Sequence, residues 1–196
     1  MEEGQQAQAG IVTAGRSLGM VVALAPALGG CSAPDGSVAA LERMLAAHDS
    51  ATVALEQWCT ARGFAADPHI TARRVAGDPP AEPARLRQRL GVSAAAPLGY
   101  RHVELSCGDR VLSVAHNWYA ADRLTPEMNA ALGAGDVPFG KIAAPLAFRR
   151  ETLDERRGGE PGCPAGTVLS QIALLRLPSG APLAFLTECY TRAALD

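Results

Sequence analysis

The sequence has few aromatic side chains and almost no net charge, and both deficits exclude classes of partner. Aromatic residues make up 5% of the 196-residue chain, and the formal net charge is −2. Proteins that bind nucleic acids need a concentrated basic surface, and those that hold single strands also need rings on which bases stack. We therefore expect no nucleic-acid partner.

The sequence also lacks the motifs of common cofactor and metal sites. It contains no G-x-G-x-x-G fingerprint and no Walker loop, so no nucleotide cofactor is expected. Its five cysteines form no C-x-x-C pair and show no histidine spacing typical of zinc sites, so no structural metal is expected either. An odd number of cysteines fits poorly with a disulfide framework, and Cys189 is interpreted as a buried structural thiol.

No apolar run near the N-terminus is long enough to span a bilayer, but residues 18–30 have the length of a signal-peptide core. This run ends at Cys31 after two glycines, which resembles the lipobox of bacterial lipoproteins. The acidic residues at positions 2 and 3 and Pro26 inside the run argue against a signal peptide. The alternative is a flexible lead-in that is rich in alanine and glycine.

Under either interpretation, residues 1–35 lie outside the fold and residues 36–196 form one domain. Hydrophobic residues make up 48% of the sequence, which is enough for one substantial core in a chain of this length.

The rest of the sequence predicts an α+β fold, an antiparallel β-sheet flanked by helices. Ser37 begins one helical pattern, and Asp49 or Ser50 caps a second that Gly63 closes. Two pairs of strand-like runs are each joined by a glycine-containing turn, which is typical of hairpins. The predicted segments are a strand at 69–75, a surface basic stretch at 85–89, hairpins at 98–106/110–118 and 167–177/182–191, a helix from Thr125 to about Gly133, and a loop at 138–140.

Four short segments in one order resemble the chorismate pyruvate-lyase family, over a region from Leu41 to Leu195. The same fold is similar to the effector-binding (UTRA) domains of bacterial regulators. The four segments are Asp49-Ser50-Ala51-Thr52, Tyr100-Arg101-His102-Val103-Glu104-Leu105, Pro138-Phe139-Gly140-Lys141 and Leu186-Thr187-Glu188.

The resemblance implies a site for a small aromatic or cyclohexadiene carboxylate, with no cofactor. Arg101 would be the bidentate clamp for the ring carboxylate. Glu188, placed near Arg101, would bond the ring hydroxyl or assist proton removal as the ring becomes aromatic. Backbone N–H groups at Ala51 and at Phe139, which precedes Gly140, would contact the ligand.

One position departs from the family pattern. His116 stands where the lyases carry a second arginine, so the ligand or the rate would differ. The alternating charges of residues 149–157 indicate a solvated face without chemistry. The Gly- and Pro-rich loop 156–166 resembles loops that cover pockets.

Two functions follow as alternatives. The first is a cytoplasmic bacterial lyase that converts chorismate to 4-hydroxybenzoate and pyruvate, for ubiquinone biosynthesis or a related pathway. The second is a non-catalytic binder of a small aromatic carboxylate, exported to the periplasm and anchored to the membrane through a lipidated Cys31. Lipidation would separate the protein from chorismate, which is made in the cytoplasm.

Overall fold

The computed structural model describes residues 36–77, 81–83 and 85–196 of the chain. The lipidation candidate Cys31 and the predicted lead-in lie outside these residues. The described helices and strands are α1 (Val38–Ala46), α2 (Ala51–Arg62), β1 (Ile70–Arg74), α3 (Leu86–Leu90), β2 (Leu98–Cys107), β3 (Arg110–Ala120), α4 (Pro126–Ala134), α5 (Phe139–Ala143), β4 (Arg149–Arg157), β5 (Thr167–Arg176) and β6 (Pro182–Thr191). Three single-turn 3₁₀ helices follow β3, α5 and β6.

Six antiparallel strands form one sheet in the order β1-β2-β3-β6-β5-β4. The predicted α+β class and both predicted hairpins, β2–β3 and β5–β6, are confirmed. The two hairpins meet because β3 pairs with β6 at the centre of the sheet, with Ala115 opposite Glu188. This pairing joins residues that are between 65 and 77 positions apart in the sequence.

The two faces of the sheet carry different layers. Helices α1, α2, α4 and α5 cover the side that we call the helix face, where Leu105 and Ala115 belong to one apolar cluster and Leu186 to a second. The opposite side, the loop face, presents Trp118 and Phe185 to the short helix α3. Because successive side chains of a strand point to opposite faces, one-residue differences decide which layer a side chain enters.

Helix ends follow the predicted capping. Ser50 caps α2 by accepting a hydrogen bond from the Val53 backbone N–H at 3.5 Å, and Gly63 ends the helix at φ 62°. Only glycine adopts that left-handed conformation without steric cost.

Two short segments differ from the sequence-based predictions. The basic stretch expected at the surface forms α3, in which Leu86 and Leu90 are buried while the arginines between them point outward. The expected loop at 138–140 is instead the start of α5, which begins after Pro138. Both helices have five residues, too short for a periodic signal to predict them.

The cysteine prediction was wrong. Cys59 in α2 is bonded to Cys107 at the end of β2, with their Cα atoms 6.2 Å apart. Cys163 is bonded to Cys189 in β6, with a Cα–Cα distance of 5.6 Å. Four of the five cysteines are therefore paired, so Cys189 is not a free thiol. The odd total misled the prediction because the fifth cysteine, Cys31, lies in the N-terminal segment.

Candidate functional site

A small cavity opens on the helix face where the start of α2 and the start of α5 meet the sheet. Its volume is about 30 Å³, which is room for about two water molecules. A ligand larger than this must displace part of the wall. The lining residues are Asp49, Ser50, Ala51, Thr52, Leu105, Ala115, Asn117, Phe139, Gly140, Phe148, Arg150, Leu175, Leu186 and Glu188.

The cavity brings together four of the six predicted ligand residues. Ala51, Phe139, Gly140 and Glu188 all line it, although they come from three separate elements. The N-terminus of α2 borders this cavity. The unpaired backbone N–H groups of a first helical turn favour binding of an anion or a carbonyl oxygen. The remaining wall is mainly apolar, so the site combines a few polar groups with a hydrophobic surface.

A close contact between two helices closes one side of the cavity. A Cβ atom added at Gly140 would lie 2.5 Å from Ser50 Oγ and 2.9 Å from Thr52 Oγ1. Glycine at this position therefore lets α5 approach the start of α2. The family resemblance singled out Gly140, and the structure supplies a steric reason for a glycine there.

Arg150 is the charged group that the sequence analysis missed in this cavity. Its side chain is 5% exposed and forms a salt bridge with Glu188, whose side chain is 6% exposed. Arg150 Nη2 also donates to Gln171 Oε1 at 2.7 Å, and the Tyr190 hydroxyl donates to Glu188 at 3.2 Å. Residues 149–157 were interpreted as a solvated face, which is incorrect at Arg150. Nothing in the charge pattern distinguishes a buried arginine in an edge strand from its exposed neighbours.

The surroundings of Arg150 keep its guanidinium charged. Burial acts to lower the pKa of Arg150, but Glu188, Tyr190 and Glu155 together more than offset this and hold that pKa above its ordinary value. Burial raises the pKa of Tyr190, so its hydroxyl stays protonated and can donate. One nitrogen of Arg150, Nη1, is buried and has no hydrogen-bond partner within the described part of the chain.

Arg101 lies on the same face as the cavity but does not pair with Glu188. Its side chain is buried, and its Nη2 donates to the Val137 carbonyl oxygen at 3.1 Å. Among the described residues, its Nε and Nη1 atoms have no hydrogen-bond partner. Burial lowers the pKa of Arg101 below its ordinary value. The expected ion pair of Arg101 with Glu188 is thus replaced by the pair of Arg150 with Glu188.

His116 points away from this cavity. It stands opposite His102 in the β2–β3 ladder, whereas Arg101 stands opposite Asn117. His116 therefore lies on the loop face and lines a different cavity, with Trp118 and Phe185. The polar side chain of β3 that lines the helix-face cavity is Asn117, which is 5% exposed. The sequence contained one signal for Asn117, because it is a polar residue at a strand position whose side chain faces the core.

The described residues show neither a metal-binding cluster nor a membrane-spanning helix. Within them, no group of three or more histidine, cysteine, aspartate or glutamate side chains could hold a metal ion. No described helix is long and apolar enough to cross a membrane.

Comparison with known proteins identifies one relative and a shared fold. No family profile matches the sequence. The sequence is 36% identical to the uncharacterized protein y4mC of Sinorhizobium fredii over 176 residues, which cover 80% of this chain and 74% of the relative.

Among solved structures, the chain is similar to the effector domain of PhnF from Mycobacterium smegmatis, with a TM-score of 0.53 and 15% identity. The similarity covers 73% of this chain and 88% of that domain. Full-length PhnF gives the same TM-score and identity, covering 74% of this chain and 64% of PhnF, so the chain spans less than two thirds of the regulator. The fold is that of the effector-binding (UTRA) domains of bacterial regulators.

Proposed function

The chain belongs to the same family as the uncharacterized protein y4mC of Sinorhizobium fredii, and we propose that it binds a small organic acid in the helix-face cavity. The observation that carries this proposal is the buried Arg150 Nη1 atom, which has no partner within the described residues although its guanidinium lines the cavity. A buried donor without a partner costs about 1–3 kcal/mol. A ligand carboxylate would supply the missing acceptor.

The other walls specify the rest of the ligand. The first turn of α2 offers backbone N–H groups and a favourable dipole to the same anion. Phe139, Phe148 and Leu186 supply apolar surface on which a flat ring can lie. A small aromatic or cyclohexadiene carboxylate matches these donors and walls in chemistry, and its ring would enter by displacing part of the wall, because the cavity itself has room for about two water molecules. Since the fold is shared with effector-binding domains, binding without turnover is the simplest use of such a site.

Calorimetric titration of the full oxidised chain tests this proposal. We expect 4-hydroxybenzoate to bind, and 4-hydroxybenzamide, which is similar in shape but neutral, to bind at least tenfold more weakly. Arg150→Gln should abolish that difference, while Arg149→Gln, which changes the exposed neighbour of the same strand, should preserve it. Equal binding of acid and amide to the unaltered chain would overturn the proposal.

A second variant guards against a misfolded Arg150→Gln protein. Asn117→Asp keeps the shape of a buried cavity side chain and adds a negative charge. We expect it to weaken binding of the acid but not of the amide. An acid affinity that is unchanged by this substitution would count against the site.

We propose further that the domain works in an oxidising compartment outside the cytoplasm. Disulfides persist in such compartments and are rare in the cytosol, and two bridges join distant parts of the described domain. Cys31 is the one cysteine that does not take part in the two described bridges, and it follows the lipobox-like segment. Lipidation of Cys31 would anchor the protein at the periplasmic side of a membrane. Cell fractionation with a Cys31→Ser variant tests this, because the variant should leave the membrane fraction.

The lyase reaction is the second candidate, favoured by the placement of Glu188 beside Ala51, Phe139 and Gly140 in one cavity. The ion pair of Glu188 with Arg150 and the position of His116 on the other face argue against it. Incubation of the full chain with chorismate, followed by the absorbance of 4-hydroxybenzoate, decides between the two candidates. Turnover that is lost in Arg101→Ala would establish the lyase, and no turnover by a chain that binds the acid would leave the binder.

A further inference from the structure

The loop face of the sheet contains a second cavity, separate from the one described above and much larger. Its volume is about 390 Å³, within the range of about 300–1,000 Å³ found for small-molecule sites. Two large rings form its floor: Trp118 from β3 and Phe185 from β6, with centroids 6.3 Å apart. Ile172 and Thr187 continue this floor along β5 and β6.

A loop that is fixed at two points forms one wall of the cavity. Residues 160–162 form part of its wall, and the disulfide of Cys163 with Cys189 attaches this loop to β6. His116 provides the second point of attachment, because its ring forms a hydrogen bond with the Gly162 backbone. Its Nδ1 atom also forms a hydrogen bond of 2.8 Å with the Tyr100 hydroxyl. The loop was predicted to cover a pocket, and this is the cavity that it borders.

The charged groups around this cavity differ from those of the helix-face cavity, which is lined by the Arg150 guanidinium as well as by the carboxylates of Asp49 and Glu188. Glu160 contributes a carboxylate whose side chain is 10% exposed and which is paired with Arg156. No arginine or lysine is among the described residues that line the cavity. Burial, and next the neighbouring His102, lower the pKa of His116, so this ring adds no positive charge at neutral pH. An anionic ligand would therefore find no cation in the lining itself, because Arg156 is already paired with Glu160 and the Arg89 guanidinium lies over the Phe185 ring, 5.8 Å from its centroid.

We propose that the loop-face cavity is a second binding site, for an alkylamine that carries an aromatic ring on a short chain. The ring of the ligand would pack on Trp118 and Phe185, with offset or edge-to-face geometry. Its ammonium group would lie near the Glu160 carboxylate and over the Trp118 ring, which attracts cations through its quadrupole. The two faces of one sheet would thus bind ligands of opposite charge, an acid against the helices and an amine beneath the loop.

Three probes of similar size and different charge test this proposal by calorimetric titration of the full oxidised chain. They are 2-phenylethylamine, 2-phenylethanol and phenylacetate, which share a phenyl ring on a short chain. We expect the amine to bind with at least tenfold higher affinity than phenylacetate, and the alcohol to lie between them. The substitution Glu160→Gln should bring the amine and the alcohol to equal affinity.

A cavity-filling substitution shows where the amine binds. Thr187→Phe would fill the space over β6 and should abolish binding of the amine, while leaving titration with 4-hydroxybenzoate unchanged. The matched control is Thr71→Phe, the same change at an exposed position of β1 outside the cavity, which should leave amine binding intact. Near-ultraviolet circular dichroism checks that both variants are folded.

The outcomes separate this proposal from the acid site. Loss of amine binding in Thr187→Phe alone supports the loop-face site, whether or not the helix-face cavity binds an acid. Absence of amine binding, equal loss in both threonine variants, or a higher affinity for phenylacetate at this site would overturn it.

Discussion

At the scale of single residues, the buried ion pair of Arg150 and Glu188 defines the helix-face cavity. Both side chains are almost fully removed from water, and Gln171 and Tyr190 supply further hydrogen bonds to them. Taking two charges out of water is expensive, so such a pair adds little net stability, but breaking it leaves one charge buried alone. Its role is to hold one guanidinium at a fixed place beside the α2 terminus.

This pair predicts strongly non-additive effects of substitution. We expect Glu188→Gln or Arg150→Gln alone to lower the free energy of unfolding by about 3–5 kcal/mol. The double variant should lose much less than the sum, because neither charge is then left without its partner. Denaturant unfolding of the four proteins in the cycle measures this. The exposed pair of Arg149 with Asp49, 3.3 Å apart, is the control and should show little coupling. Additive losses at the buried pair would contradict the prediction.

The two stacked histidines on the loop face predict a pH dependence of stability. The ring centroids of His102 and His116 are 4.2 Å apart, and burial lowers the pKa of both below the usual value of about 6.5. The unfolded chain therefore takes up protons at a higher pH than the folded chain. Their contribution to stability is complete above about pH 7 and is lost as the pH falls below about 6.5 toward their folded pKa values.

Urea unfolding between about pH 5 and pH 8 measures this loss. His116→Gln should flatten the profile over that interval, whereas His69→Gln, at an exposed histidine, should not. A profile of the unaltered chain that does not fall with acidification would contradict the prediction for these two half-buried rings.

At the scale of elements, the approach of α5 to α2 decides the shape of the helix-face cavity. The five-residue helix α5 supplies Phe139 and Gly140 to the wall, and it lies against the first turn of α2 only because Gly140 has no Cβ atom. A short helix gains its stability from such packing rather than from its own hydrogen bonds.

Two glycine-to-alanine substitutions distinguish the steric effect of this contact from the general effect of helix propensity on stability. Gly140→Ala should lower stability and weaken acid binding, because its Cβ would overlap Ser50 Oγ. Gly133→Ala in α4, where an added Cβ meets no described heavy atom within 4 Å, should raise the free energy of unfolding by about 0.5–1 kcal/mol. Thermal unfolding and the acid titration measure both effects. Equal stabilisation by the two changes would argue against a steric role for Gly140.

At the scale of the whole molecule, the disulfides link distant parts of the chain. One closes 48 residues between α2 and β2, and the other closes 26 residues between the covering loop and β6. In the chain-entropy model, each bridge of this length contributes about 3–4 kcal/mol by restricting the unfolded chain. Bridges of this kind persist in oxidising compartments, which supports the proposed location outside the cytoplasm.

We expect alkylation of the unfolded but unreduced protein to modify at most one cysteine, Cys31. After reduction, alkylation should reach Cys59, Cys107, Cys163 and Cys189 as well, and mass spectrometry counts the additions. Replacing each bridged pair by alanines should lower the free energy of unfolding by about 3–4 kcal/mol. Four free thiols in protein isolated from its natural compartment would contradict both the bridges and the proposed export.

The sequence by itself determined most of the architecture. Alternating apolar residues around glycine turns specified both hairpins, and the caps at Ser37, Ser50 and Thr125 specified the longer helices. These signals are local, because a strand, a turn or a helix end depends on residues within one or two turns of the chain. The family resemblance also marked Ala51, Phe139, Gly140 and Glu188, which the fold places around one cavity.

Only the tertiary structure decided which charges meet and which cysteines bond. Arg150 reaches Glu188 because β4 lies beside β5 and β5 beside β6, and His116 misses the cavity because one residue of register places it on the other face. The bridge of Cys59 with Cys107 likewise depends on how α2 lies against the sheet. Burial, pairing and distance between remote residues arise from packing, and a linear pattern of residue types carries no direct record of them.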